Sequence, residues 1–154
     1  MSKIKNLNTL IKITDRLKIQ GKIIIFTNGC YDILHPGHIK ILNQAKEKGD
    51  ILVVGLNSDS SIRRIKGKMR PIMDEKARTK VLESISMVDY IVIFKEKTPY
   101  NLIKKIKPHI LVKGKDWSKK EIVGADLVNK IYQVKLHPGY STTEIIKKIR
   151  KIDA

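Results

Sequence analysis

A doubly wound α/β domain built on a parallel sheet is the fold class this sequence predicts, and three observations predict it. The runs KIIIFT (22–27) and ILVVGL (51–56) are almost wholly apolar rather than alternating, as strands covered on both faces are. Segments of helical length, with apolar residues three or four apart, separate such runs. No internal repeat and no Pro/Gly/Ser-rich linker divides the chain, and 154 residues suit a single domain.

The elements follow in order. Leu7, Leu10, Ile11, Ile13 and Leu17 predict an amphipathic N-terminal helix within residues 1–20, stopped near Gly21, with the α/β core over 21–154. Residues 22–27 form the first strand. Ile39, Ile41, Leu42 and Ala45 predict a helix stopped at Gly49, and residues 51–56 a second strand. Segments 58–66 and 74–85 read as helices flanking a basic loop at 67–71. A strand at 90–94, a helix at 99–106 and a strand at 110–113 continue the alternation. A short helix at 125–130, a last strand at 131–136 and a terminal helix at 142–152 complete it. Ligands of such sheets lie beyond the carboxyl ends of the strands, where the strand order reverses.

Composition narrows the function classes. The single cysteine, Cys30, excludes an intramolecular disulfide and any multi-cysteine zinc module. No apolar run approaches the ~18 residues of a membrane span. The first residues, MSKIKN, lack the apolar stretch and small-residue cleavage site of a signal peptide. A reduced, cytoplasmic protein with no membrane partner is expected. The 32 Lys plus Arg against 15 Asp plus Glu give a net charge of +17, which invites a nucleic-acid reading. Basic residues are nevertheless spread throughout, with one tight group at Arg63, Arg64, Lys66, Lys68 and Arg70. Lys and Ile each occur 26 times, and both have A/T-rich codons, so a compositional bias accounts for the charge. An aromatic content of 5% is thin for a stacking platform, and nucleic acid is not the expected partner.

The residues after the first strand, TNGCYDILHPGH (27–38), carry the chemistry. Gly29 lets backbone amides approach a phosphate closely. Pro36-Gly37 stands where a helix would start, and a helix start offers free N–H groups and a positive dipole to an anion. His35 and His38, three apart, fall at that same end and suit charge developing on a transferred phosphoryl group. A zinc site would need a second pair of ligands that the sequence does not offer, and His109 and His137 read as loop residues beside prolines. Cys30 reads as a small packing residue. Far along the chain, GYSTTE (139–144) precedes Ile145, Ile146, Ile149 and Ile152. Ser141 or Thr142 can cap that helix, with Glu144 near the capping-box position, and its hydroxyls and free N–H groups make a second phosphate cradle.

TNGCYDILHPGH followed by YSTTEII resembles the HIGH-type nucleotidyltransferases, and among these the heptose 1-phosphate adenylyltransferases most. The resemblance runs from about Gly21 to Ile149. It includes NSDSSIRRIKGKMRPI (57–72), Arg78, VDYIVIF (88–94), KTPYNLI, KPHILVKGKDW (107–117) and IVGADLV (122–128). It departs from the family's usual pattern at Lys115, where a second glycine is common.

The resemblance implies a Rossmann-like nucleotidyltransferase fold and an enzyme that moves AMP from ATP to a sugar 1-phosphate, with Mg2+ accompanying ATP. Thr27, Asn28, Gly29, Tyr31, Asp32 and Gly37 would form the nucleotide cradle, and His35 and His38 would act in transfer. Lys113, Gly114 and Asp116 would line the nucleotide pocket, and Ser141, Thr142 and Thr143 would close on the phosphates. Arg63, Lys66, Arg70 and Arg78 would hold the substrate phosphate, whereas Arg64 and Lys68 read equally well as solvated. A heptose kinase would be a separate protein, and a homodimer is compatible with the resemblance. The rival readings are a cytidylyltransferase acting on glycerol 3-phosphate or a similar ester, and a basic nucleic-acid-binding protein without turnover.

Overall fold

Strands that bury both faces need a layer of helices on each, and the computed structural model, which describes residues 1–114, 121–136 and 138–152, shows that arrangement. Strands β1 (Ile24–Gly29), β2 (Ile51–Asn57), β3 (Tyr90–Phe94), β4 (Ile110–Gly114) and β5 (Lys130–Val134) form an all-parallel sheet in the order β3-β2-β1-β4-β5. Helices α1 (Leu7–Ile19), α2 (Pro36–Lys46), α3 (Asp59–Lys66), α4 (Glu75–Glu83), α5 (Tyr100–Ile106) and α6 (Thr142–Ile152) surround it. The chain steps outward from β1 to β3, then returns across the sheet to place β4 on the other side of β1. The strand order therefore reverses at β1, and the loops after β1 and β4 diverge there.

Two cores follow from the two-residue period of the strands. Ile25, Leu52, Val54, Leu56, Ile91, Ile110 and Val112 face one side, where Leu42 and Ala45 of α2 and Leu82 of α4 cover them. Ile24, Phe26, Val53, Val92, Phe94 and Leu111 face the other, under Leu10 of α1 and Leu102, Ile103 and Ile106 of α5. Each fully buried Leu, Ile or Phe contributes ~1.5–3 kcal/mol, so these paired layers are the main source of stability.

The helix starts are chemically marked. Asn6 Oδ1 accepts from Thr9 N–H (2.9 Å), Ser58 Oγ from Ser61 N–H (3.1 Å) and Asp74 Oδ1 from Ala77 N–H (2.8 Å), each satisfying a donor that the first turn leaves unpaired. Residues 3–5 lie along the outer side of β3. Lys5 N–H donates to Ile91 O and Ile91 N–H to Lys3 O, both at 2.9 Å, and Ile4 bridges to Ile91.

Three local expectations change. The short helix expected over 125–130 is a single 3-10 turn, Ala125–Leu127, and Lys130 already belongs to β5. β1 runs two residues beyond Thr27, to Gly29. His109 is not an idle loop residue: its Nδ1 accepts from Ile24 N–H, and its own N–H donates to Ile24 O, both at 2.9 Å, which joins β4 to β1 at the end of the sheet opposite the strands' carboxyl ends. No helix among the described residues is long and apolar enough to cross a membrane.

Candidate active site

A cavity of about 460 Å³ opens at the carboxyl ends of β1, β2, β3 and β4, within the size range of small-molecule sites. It collects residues from five separate stretches of chain. Of the residues singled out in the sequence, Asn28, Gly29, Tyr31, His35, His38, Lys66, Arg70, Lys113, Ser141, Thr142 and Thr143 line it.

The first wall is built by the turn after β1. Tyr31 takes a positive φ of 46°, which folds its ring back over Gly29, and the ring is buried with 5% exposure. Burial raises the Tyr31 phenol above its ordinary value despite a hydrogen bond with Thr27. The ring centroid of Tyr31 is 5.0 Å from that of His38, which is 3.8 Å from that of His35. His35 is the extended residue that caps α2, and Pro36, with no N–H to leave unpaired, opens the helix.

Both imidazoles have Nδ1 engaged as an acceptor. His35 Nδ1 receives Gly37 N–H at 3.2 Å, and His38 Nδ1 receives His35 N–H at 3.4 Å. A neutral imidazole with Nδ1 accepting must carry its proton on Nε2, so each ring has one donor left. Burial, and then the neighbouring His35, hold His38 down to about 4; burial also lowers His35. At neutral pH this is a pair of uncharged donors.

Cations form the second wall. The Lys113 ammonium, at the end of β4, donates to Asn28 Oδ1 at the end of β1, and burial draws its pKa down to about 8. Lys66, Arg70 and Lys97 also line the cavity. Cys30 also lines the cavity, and burial raises its thiol against the pull of Lys66, Arg78 and Arg70, which makes it a poor thiolate.

The third wall is the start of α6. Ser141 is its cap, with Oγ accepting from Glu144 N–H at 3.1 Å, while the Glu144 carboxylate turns to Lys147 at 3.0 Å instead of closing a capping box. Thr142 Oγ1 reaches Ile33 O at 3.5 Å, and Tyr140 O would stand 3.7 Å from a β-carbon at Gly37. The starts of α2 and α6 thus meet.

Several expected site residues do not line the cavity. Thr27 is buried beneath it, and Gly37 lies behind the His35 ring. Gly114 faces Leu136 and Ile41. Arg63, on α3, and Lys68, in the loop after it, are exposed, and Arg64 donates to Ser60 O (3.3 Å) and Lys95 O. Asp116 and His137 lie outside the described residues.

Asp32 and Arg78 are corrections of a different kind. Asp32 is 1% exposed and accepts from Ile72 N–H, Met73 N–H and Arg70 Nε. Burial would raise its pKa, but those amides and the guanidinium outweigh it and hold the carboxyl below its usual range. Arg78, also 1% exposed, donates from Nε to Met73 O (3.1 Å), from Nη1 to Cys30 O (2.7 Å) and Asn57 O (2.8 Å), and from Nη2 to Asp59 (2.8 Å). It ties the loops after β1 and β2 to the start of α4 rather than facing a substrate.

Sequence reasoning passed over Asn57, Lys97, Thr98, Pro99, Ile122 and Val123, which also line the cavity. Asn57 ends β2 and the 97–99 loop follows β3, so the carboxyl-end rule, applied to every strand, finds them. Glu121 lines the cavity too, yet among the described residues no group of three His, Cys, Asp or Glu could hold a metal ion. The donors are imidazole, amide, ammonium and guanidinium, a set suited to phosphate; a magnesium ion fits here as one carried in on phosphate oxygens.

The cytidylyltransferase-like family profile matches residues 26–148. A bifunctional protein HldE of Aliarcobacter butzleri is 49% identical over 150 residues, covering 97% of this chain and 32% of that protein. One from Campylobacter concisus is 52% identical over 145 residues, covering 94% and 31%. The chain spans about a third of the length of these curated relatives. Among solved structures, a lipopolysaccharide core biosynthesis protein from Thermoplasma volcanium superposes with a TM-score of 0.65 at 30% identity, over 76% of this chain and all of that one. A pantoate-beta-alanine ligase from Francisella tularensis, at 17% identity and a TM-score of 0.69, covers 100% of this chain and 79% of its own, and shares the fold.

Proposed function

The chain belongs to the cytidylyltransferase-like family, and from that footing we propose that it transfers AMP from ATP to D-glycero-β-D-manno-heptose 1-phosphate, giving ADP-heptose and pyrophosphate. One observation carries the reading: the starts of α2 and α6, one bearing two imidazoles in contact and the other Ser141 to Thr143, share a cavity with Lys66, Arg70 and Lys113. The relatives named HldE, about half identical over nearly all of this chain, support it, as do the blocks LVKGKDW and IVGADLV. Since those relatives are bifunctional and this chain spans a third of them, it corresponds to one of two activities. A kinase that makes the sugar 1-phosphate is the other activity the reading requires.

In this reading an oxygen of the sugar phosphate attacks the α-phosphorus of ATP in line. The new P–O bond forms as the bond from the α-phosphorus to the bridging oxygen breaks, and pyrophosphate leaves. The attacking oxygen is already anionic, so no general base is needed, and catalysis is positioning plus charge stabilisation. His35 and His38 donate from Nε2 to oxygens on which charge develops. Their neutrality keeps these donors fixed without the cost of burying imidazolium. Lys113, with its pKa near 8, regains a firm charge when phosphate arrives beside it. The α6 amides and the hydroxyls of Ser141 to Thr143 close on the phosphates. Magnesium bound to ATP supplies further neutralisation of the departing pyrophosphate.

The test is pyrophosphate release with each of four nucleoside triphosphates, offered with heptose 1-phosphate and with glycerol 3-phosphate. ATP with heptose 1-phosphate is expected to be fastest. Turnover of CTP with glycerol 3-phosphate, and none with the expected pair, would replace the assignment with the cytidylyltransferase reading that the family's name favours. Salt-steep binding to duplex DNA without any pyrophosphate release would replace both.

A further inference from the structure

The loop after β1 carries a carboxylate with no exposed surface, and it organises a stretch of chain some forty residues away. The oxygens of Asp32 accept from Arg70 Nε at 2.7 Å, from Ile72 N–H at 2.9 and 3.0 Å, and from Met73 N–H at 2.8 Å. Three donors within four residues converge on one carboxylate, so the stretch from Arg70 to Met73 is wrapped around it. The Arg70 side chain is 13% exposed and lines the cavity. Among the described residues its Nη1 and Nη2 have no partner.

A guanidinium held at Nε by a buried carboxylate cannot swing into solvent, and its planar fork then has a fixed direction. Its unpaired Nη groups are the pair that binds phosphate in a two-pronged manner. An acidic group among phosphate-binding residues would oppose binding if it stood open. Here it is covered, paired with the arginine and turned away from the cavity. We propose that Asp32 is a positioning residue that aims the Arg70 guanidinium at the phosphate of the second substrate before that substrate arrives. The identity of that phosphate rests on the sugar-phosphate reading above; the coupling between Asp32 and Arg70 does not.

The experiment compares the full chain with Asp32→Asn, Arg70→Ala and the double variant, in turnover and in calorimetric binding of inorganic phosphate. Asparagine keeps the size but removes the charge and brings an NH2 group to a point where three donors already converge. Asp32→Asn is expected to raise KM for the sugar phosphate about tenfold, with KM for ATP nearly unchanged and the double variant no worse than Arg70→Ala. Phosphate affinity should show the same non-additive loss. Additive effects, equal changes in both KM values, or an Arg70→Ala variant with unchanged phosphate affinity would overturn the proposal, because Asp32 would then only brace the loop. If Asp32→Asn does not fold, Asp32→Glu keeps the charge but displaces the contact by one methylene, and a severalfold rise in the same KM is expected, with an unchanged one counting against the coupling. A wild-type protein that binds phosphate in this coupled way but turns over no sugar phosphate would refute the proposed function and leave the coupling standing.

Discussion

A β-carbon at position 37 would stand 2.9 Å from Cε1 and 3.0 Å from Nδ1 of His35, so the glycine between the two histidines sets where the first imidazole rests. The same residue supplies the N–H that fixes the tautomer of that ring. Gly37→Ala is therefore expected to push the His35 ring aside and lose the Nδ1 contact, at small cost to stability because a side chain rather than backbone gives way. Turnover should fall by about tenfold to a hundredfold, as misplacement near 1 Å does, with a melting temperature close to wild type. Unchanged turnover would show that His35 is only a cap. The imidazole pair was legible in the sequence because histidines three apart at a helix start share one end. The Nδ1 partners were not, since they depend on the extended backbone of His35. The place of Asp32 is hidden for a related reason: the left-handed turn at Tyr31 decides which way the next side chain points, and spacing alone does not reveal that turn.

At the scale of elements, Arg78 shows how helices and loops are fastened. One buried guanidinium joins Cys30 after β1, Asn57 at the end of β2, Asp59 at the start of α3 and Met73 before α4. Arg78→Ala would leave three carbonyls and a carboxylate without this partner, and is expected to destabilise the fold by about 3 kcal/mol or more. Denaturant unfolding checks this; an unchanged midpoint with a raised KM for sugar phosphate alone would restore Arg78 as a substrate contact. The strands were readable to within one or two residues wherever both faces are covered, as at Tyr90–Phe94. β5 starts one residue earlier than the sequence predicts, and the helical turn before it is shorter. The strand's first four residues alternate between exposed and partly covered before the buried Val134, so its start lacks the continuous apolar run that marks the inner strands.

For the molecule as a whole, partly burying two neutral imidazoles makes stability depend on pH in a defined direction. His38 is held to about 4 by burial and His35, against ~6.5 in an unfolded chain. Between these values the unfolded state binds more protons than the folded one, so this contribution is complete above ~6.5 and is lost as pH falls toward 4. The lowered Asp32 pKa acts further down, its contribution being lost as pH falls through its depressed value. His38→Asn keeps an acceptor near the position of Nδ1 but does not titrate. It is expected to flatten the decline of the urea midpoint between pH 6.5 and 4.5, and parallel pH curves for variant and wild type would mean that His38 is not held neutral.

The segment laid along β3 bears on how copies of the molecule can associate. Polymerisation by strand addition requires every unit to offer two reactive ends, one to receive a neighbour and one to pass the register on. Residues 3–5 occupy one of those ends from within the same chain, through both Ile91 hydrogen bonds. A second copy pairing along β3 must therefore displace these residues from Ile91 before it can add. This local obstacle consists of backbone hydrogen bonds, so it persists at ionic strengths that screen the repulsion of a chain of net charge +17.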